Sequence, residues 1–271
     1  DVFKKSNPKH ICSKISCYTI KSVGSVSDST NLNGVRGVET FTIGSSTYVV
    51  AAAQLSDKIV IFDISDPTNP TSVGSLANSD SRELNGPIEL DIATIGGKPY
   101  AVVAAYTDKG IEIIDISDPT NPTSVGRATH EGDYKELDAP YDVAITTIGD
   151  STYAVVTAYV DDGVQIIDIS DPTSPSATAI ASHCIGCDTF SELNGPIDVE
   201  IATIGGSTYA VVAAGVDDGV QIIDISTPSS PSATSTIEDG TDTGLCTASN
   251  GERCLDGANG VAITTIGSST Y

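Results

Sequence analysis

From Gly86 onward the chain passes through short apolar patterns, each closed by residues that favour turns. Ile88, Leu90 and Ile92 alternate with Glu89, Asp91 and Ala93, the period of two expected of a strand with one buried face. Gly96-Gly97 forms a turn, and Tyr100 to Tyr106 is a wholly apolar run, as in a strand buried on both faces. Asp108-Lys109-Gly110 turns the chain again, where glycine is expected to take the positive φ of a hairpin. Ile111 to Ile116 reads as a third strand. Asp118-Pro119-Thr120-Asn121-Pro122 cannot lie inside a sheet, because its prolines lack donors. Thr123 to Thr129 is a fourth, more polar strand. Almost no stretch shows a helical period.

The same order of elements recurs every fifty-odd residues. The sequence KIVIFDISDPTNPTSVGSL at Lys58 returns from Gly110, from Gly163 and from Gly219, and TIGSSTY-like segments recur between these copies, the last ending at Tyr271. Four antiparallel strands per unit at this period predict an all-β chain, a β-propeller whose blades stand around a central channel. A β-solenoid fits less well, since its coils are shorter and need no hairpins. The blades are expected at about 34–77, 86–129, 139–182 and 195–237, with a partial fifth at 257–271. Thr19 to Val26 matches a fourth strand, so residues 19–271 form the propeller and 1–18 an N-terminal segment. A last unit broken inside its motif suggests first that the chain continues, then that the N-terminal strand closes the fifth blade, then that a neighbouring copy completes it.

The cores of the repeats are Ile59-Val60-Ile61-Phe62-Asp63, Ile111-Glu112-Ile113-Ile114-Asp115, Val164-Gln165-Ile166-Ile167-Asp168 and Val220-Gln221-Ile222-Ile223-Asp224, each followed by Ile-Ser and a proline-containing turn. They resemble the LVIVD-repeat family of propellers known from bacterial and archaeal surface proteins. The resemblance implies fold and leaves activity open, because propellers carry many functions. An aspartate at one place in every unit (Asp63, Asp115, Asp168, Asp224) is expected to fix a turn by accepting backbone N–H groups.

Charge changes the picture more than size does. The 271 residues carry a formal net charge of −23, which excludes a nucleic-acid partner, since that needs a basic surface. No run is long and apolar enough for a membrane helix. Six cysteines fall in close pairs outside the repeated strands: Cys12 with Cys17, Cys184 with Cys187, Cys246 with Cys254. Local disulfides and an extracellular or cell-surface setting are expected. A zinc site at His183-Cys184 lacks further ligands, with only His10 and His130 as other histidines.

Turns between strands one and two and between three and four share one face and barely vary. The other face carries the hairpins and the crossovers to the next unit, and there the units differ, which is where a scaffold usually places recognition. That face presents Asp108, Asp161, Asp162, Asp217 and Asp218. Near the starts of the innermost strands lie Glu39, Glu89, Asp91, Asp142, Asp198 and Glu200, expected to converge on the channel mouth. Converging carboxylates raise one another's pKa or take up a cation, and Ca²⁺ suits such oxygen-rich sites. No nucleophile elbow, phosphate loop, zinc-protease motif or dinucleotide fingerprint occurs, so no catalytic residue is assigned. The expectation is a non-enzymatic binding or structural module, Ca²⁺-assisted, with a protein or glycan partner. The alternatives are a self-assembling surface subunit and a secreted hydrolase using channel-mouth carboxylates.

Overall fold

The structure, a computed structural model, describes residues 22–183, 189–238, 257–266 and 269–270. Four sheets of four antiparallel strands follow one another along the chain. The first holds β1 (Val35–Ile43), β2 (Ser46–Ala53), β3 (Lys58–Asp63) and β4 (Thr71–Ala77), and the second β5 (Pro87–Ile95), β6 (Lys98–Ala105), β7 (Gly110–Asp115) and β8 (Thr123–Thr129). The third holds β9 (Pro140–Ile148), β10 (Ser151–Ala158), β11 (Gly163–Asp168) and β12 (Ser176–Ser182), and the fourth β13 (Pro196–Ile204), β14 (Ser207–Ala214), β15 (Gly219–Asp224) and β16 (Ser232–Glu238). A short hairpin, β17 (Thr265–Ile266) with β18 (Ser269–Thr270), begins a fifth unit. Each sheet is ordered first to fourth strand, and β1, β5, β9 and β13 pack side by side. The first strand of each blade is thus the innermost, and the fold is a β-propeller.

Each end of a blade has its own chemistry. At the turn end, β1–β2 and its equivalents are joined by two-residue turns, with Ile43 paired to Ser46. Gly44, Gly96, Gly149 and Gly205 supply the positive φ these turns require. The repeated aspartates fix the neighbouring turns as expected: Asp63, Asp115, Asp168 and Asp224 accept the N–H of the serine two residues on at 2.8, 2.9, 2.8 and 2.8 Å. In three blades that serine's hydroxyl in turn accepts an N–H from the start of the second strand, from Thr47, Thr152 and Thr208. In the second blade Pro99 stands at that place and has no N–H to donate, and the Ser117 hydroxyl donates to Asp115.

Between blades lies the core. Ile111, Ile113, Val102 and Tyr100 of the second blade pack with Val156, Ile167 and Ile169 of the third, and comparable clusters join first to second and third to fourth. Leu84, Leu137 and Leu193, one from each crossover, are fully buried in these layers. The outer strands approach the next blade's turn closely, with glycine at the contact in the first two blades and Ala179 at the same place in the third. A Cβ on Gly74 would stand 2.1 Å from the Pro119 carbonyl oxygen, and one on Gly126 2.1 Å from that of Pro172. Gly24 stands in the same relation to Pro67, at 2.2 Å. Residues around Gly24 therefore occupy the outermost-strand place of a blade ahead of the first, although they carry no strand assignment. Val23 and Val26, equivalent to Val73 and Leu76, are left exposed at 63% and 39%.

The hairpins between second and third strands form as expected, for a different reason. The positive φ falls on Asp57, Lys109, Asp162 and Asp218, not on the glycine that follows the last three. At 163 and 219 a Cβ would stand 2.5 Å from the Glu136 and Glu192 carboxylates respectively, which pack over these glycines, whereas the first blade has Lys58 at that place.

Candidate functional site at the crossover end

Hairpins and crossovers interlock at this end through carboxylates. Asp108, Asp161 and Asp217 each accept an N–H from the crossover leading into their own blade, from Asn85, Asp138 and Asn194, at 2.7, 2.6 and 2.7 Å. Asp57, Asp162 and Asp218 reach forward instead and accept the N–H of Gly86, Gly195 and Gly257 in the following crossover. The five aspartates read from the sequence as an interaction face are all half-buried and all carry such a bond. Their partners lie 23 to 39 residues away, so no local motif announces the contact.

The inner strands add a second tier of acids. Asp91 accepts the N–H of Ile145, Asp142 that of Val199 and Asp198 that of Val261, so each ties its blade to the next. Asp142 also accepts from Val143, and its own N–H donates to the Thr157 hydroxyl. Glu89 lies over Gly37, whose Cβ would stand 2.4 Å from its carboxylate. Burial, with repulsion from Asp198 and Glu39, raises the Glu89 carboxyl to about 7. Burial raises Asp142 well above the aspartate range, with Asp198 adding to it. Glu39 and Glu200 are raised as well, by desolvation first and then by other acids of this tier, Asp91 among them. Acids from different blades therefore lie close enough to raise one another, as Asp198 and Glu39 do for Glu89. No three of them bring ligand atoms within 4.8 Å of one another; among the described residues that is found only at His130, Asp138 and Asp161. The inner strands supply diffuse negative potential more than a chelating cage.

Three features escaped sequence reading. Tyr106, Tyr141 and Tyr159 form a run of half-buried rings beside Asp142, with centroids 5.8 and 5.7 Å apart. Tyr141 stands where Ile88 and Ile197 stand in the sister blades, and that departure was the available signal. A cleft of about 400 Å³ opens between Glu83, Asp108, Lys109, Arg127, His130 and Glu131. Glu136 and Glu112 are buried. Burial raises Glu136 to about 7 against the Ser182 hydroxyl bond.

The comparisons can be placed on this geometry. The LVIVD repeat model matches residues 47–78, 91–129, 152–180 and 204–239, half of the chain in all. The chain belongs to the LVIVD-repeat family. Each LVIVD match covers most of the outer three strands of one blade. Among solved structures, this LVIVD-repeat chain is similar to a functionally unknown protein from Desulfotomaculum acetoxidans (13% identity, TM-score 0.57, covering 82% of this chain and 62% of that one). It is also similar to a putative 6-phosphogluconolactonase from Bacteroides uniformis (16%, 0.54, 75% and 55%). A third likeness is to the periplasmic gluconolactonase of Pseudomonas aeruginosa (11%, 0.55, 75% and 54%). The chain thus spans somewhat more than half the length of these proteins, and at such identities they show the fold alone. No curated protein matches the LVIVD chain. No helix among the described residues is long and apolar enough to cross a membrane. Cys12, Cys17, Cys184, Cys187, Cys246 and Cys254 lie outside the described residues.

Proposed function

We propose that this LVIVD-repeat propeller is a non-enzymatic binding module of the cell surface or extracellular space, which engages a protein or glycan partner through its crossover end. The observation that carries the reading is the contrast within each blade. The turn end is built alike in every unit, whereas the crossover end carries the inner acids of all four blades and, in the middle blades only, the Tyr106–Tyr141–Tyr159 run and the cleft. Aromatic faces beside hydrogen-bond acceptors suit sugars and basic side chains alike. Ca²⁺ enters this reading as a counter-ion to the tier of Glu39, Glu89, Asp91, Asp142, Asp198 and Glu200, bridging it to a partner.

The test is binding of the labelled chain to arrays of glycans and extracellular proteins, with and without Ca²⁺. Y141I keeps the residue of the sister blades (Ile88, Ile197), and D150G keeps that of Gly97 and Gly206 at the opposite end. Binding lost in Y141I and kept in D150G supports the reading. Equal loss in both, or turnover of a bound glycan by the wild type, overturns it. A second reading, assembly through an incomplete blade, is favoured by the exposed Val23 and Val26 beside Gly24. Concentration-dependent association abolished by V23D would select it.

A further inference from the structure

The middle crossover differs from its sisters by a set of residues with a chemistry of their own. Aligned on Glu-Leu-Asn/Asp, the three crossovers carry Asn78 with Asn85, His130 with Asp138, and His183 with Asn194, facing Asp108, Asp161 and Asp217 of the next hairpin. Only the middle one joins an imidazole to two carboxylates. Backbone bonding does not require these two residues, since Asn78 donates its N–H to Asp57 as His130 does to Lys109, and Asn85 and Asn194 donate theirs as Asp138 does.

His130 Nδ1 is buried and has no hydrogen-bond partner, although it lies 3.1 Å from Asp161 Oδ2. The approach lacks hydrogen-bond geometry. It is close to the separation of about 3.4 Å that two ligands of one tetrahedral Zn²⁺ have at bond lengths of about 2.1 Å. Asp138 brings a third ligand atom within 4.8 Å of the other two. One histidine and two carboxylates match a first-row divalent ion better than Ca²⁺, which takes oxygen ligands. We propose that His130, Asp138 and Asp161 form a Zn²⁺ site at the junction of the second and third blades. Of the three ligands His130 also lines the cleft, and water or a ligand of a partner completes the coordination.

Lys109 competes for this place. Its ammonium lies 2.8 Å from Asp138 Oδ2, and it stands where the sister hairpins carry Asp57, Asp162 and Asp218. The lysine side chain is 52% exposed, so the pair is a solvated one worth little, and a divalent ion displaces it. The ammonium neutralises Asp138 when no metal is bound and swings into solvent when one is.

The sister crossovers provide fold-compatible variants. H130N and D138N restore the residues of the first crossover, whereas Asp161 is left alone because its equivalents hold backbone N–H groups. The experiment titrates Zn²⁺ calorimetrically into the full chain after EDTA treatment and alkylation of free thiols, with circular dichroism to show that each variant is folded. One Zn²⁺ binds per wild-type chain and raises its melting temperature, and each variant weakens binding at least tenfold. Absence of saturable Zn²⁺ binding by the wild type overturns the proposal. So does wild-type affinity in either variant, which would place the ion on other ligands.

Discussion

The two ends of each blade use the same functional group in opposite ways. At the turn end, Asp63, Asp66, Asp118, Asp171 and Asp224 sit at the surface, held below the usual aspartate range by serine or threonine hydroxyls and then by backbone N–H groups. At the crossover end, Glu89, Asp142 and Glu136 are held above theirs by burial. A carboxylate that only has to close a turn is kept ionised and solvated. One placed between blades shares a confined space with other acids and keeps its proton, or waits for a cation. The first use is copied in every blade because every blade needs its turn. The second recurs as well, at Asp91, Asp142 and Asp198 on the inner strands and at Glu83, Glu136 and Glu192 in the crossovers. Its strength differs with the surroundings, and of the crossover three only Glu136 is raised to about 7.

The largest effect should come from the close approach that docks one blade's outer strand under the next blade's turn. G126A drives a Cβ to 2.1 Å from the Pro172 oxygen and should cost about 3 kcal/mol or more in denaturant unfolding. G149A sits at a φ of +64° with nothing within 4 Å and should cost only about 1 kcal/mol. Equal costs would mean that the blades do not touch there.

Next in size is the pH dependence. Glu89 and Glu136 keep their protons up to about 7 when folded, against 4.5 as the ordinary value. The folded chain therefore binds more protons between these values, so their contribution is complete below about 4.5 and is lost as the pH rises through about 7. The turn aspartates act in the other direction, and their contribution is lost only as the pH falls through and below 3.8. The melting temperature should drop by several degrees from pH ~5 to pH ~8 at constant ionic strength. The drop should be smaller in E136Q. A rise over that range breaks the comparison between the two ends.

A smaller effect is expected at Glu112. It is fully buried and its Oε1 has no partner. Gln165 and Gln221, at the same place, donate to the carbonyls of Ala179 and Ser235. Burial raises the Glu112 carboxyl, so E112Q should stabilise by about 1 kcal/mol at pH ~8 and by nothing at pH ~4. Smallest of all, D150G should leave stability unchanged within about 0.5 kcal/mol, since two sister turns already carry glycine there.

The fold was legible because its devices are local and repeated. Alternating Ile88, Leu90 and Ile92, the glycine turns and the aspartate two residues before a serine are each complete within a few residues, and four copies remove ambiguity. The crossover end was legible only in part. That Glu39, Glu89, Asp91, Asp142, Asp198 and Glu200 lie together follows from their place at the starts of inner strands. That Asp108 or Asp217 holds a backbone N–H does not, because the donor sits a whole hairpin away. The signal was the recurrence of Glu-Leu-Asn/Asp in step with the Asp-containing hairpins. The same alignment would have picked out His130 with Asp138, and Glu112 against Gln165 and Gln221.

The most direct test of the contrast between the two ends is a carbon-13 NMR titration of the side-chain carboxyls. Glu89 and Glu136 should titrate near 7, while Asp63, Asp118 and Asp171 titrate below 3.8. If both sets titrate together in the ordinary carboxylate range, the two ends are electrostatically alike, and the crossover end loses its claim to be the functional one.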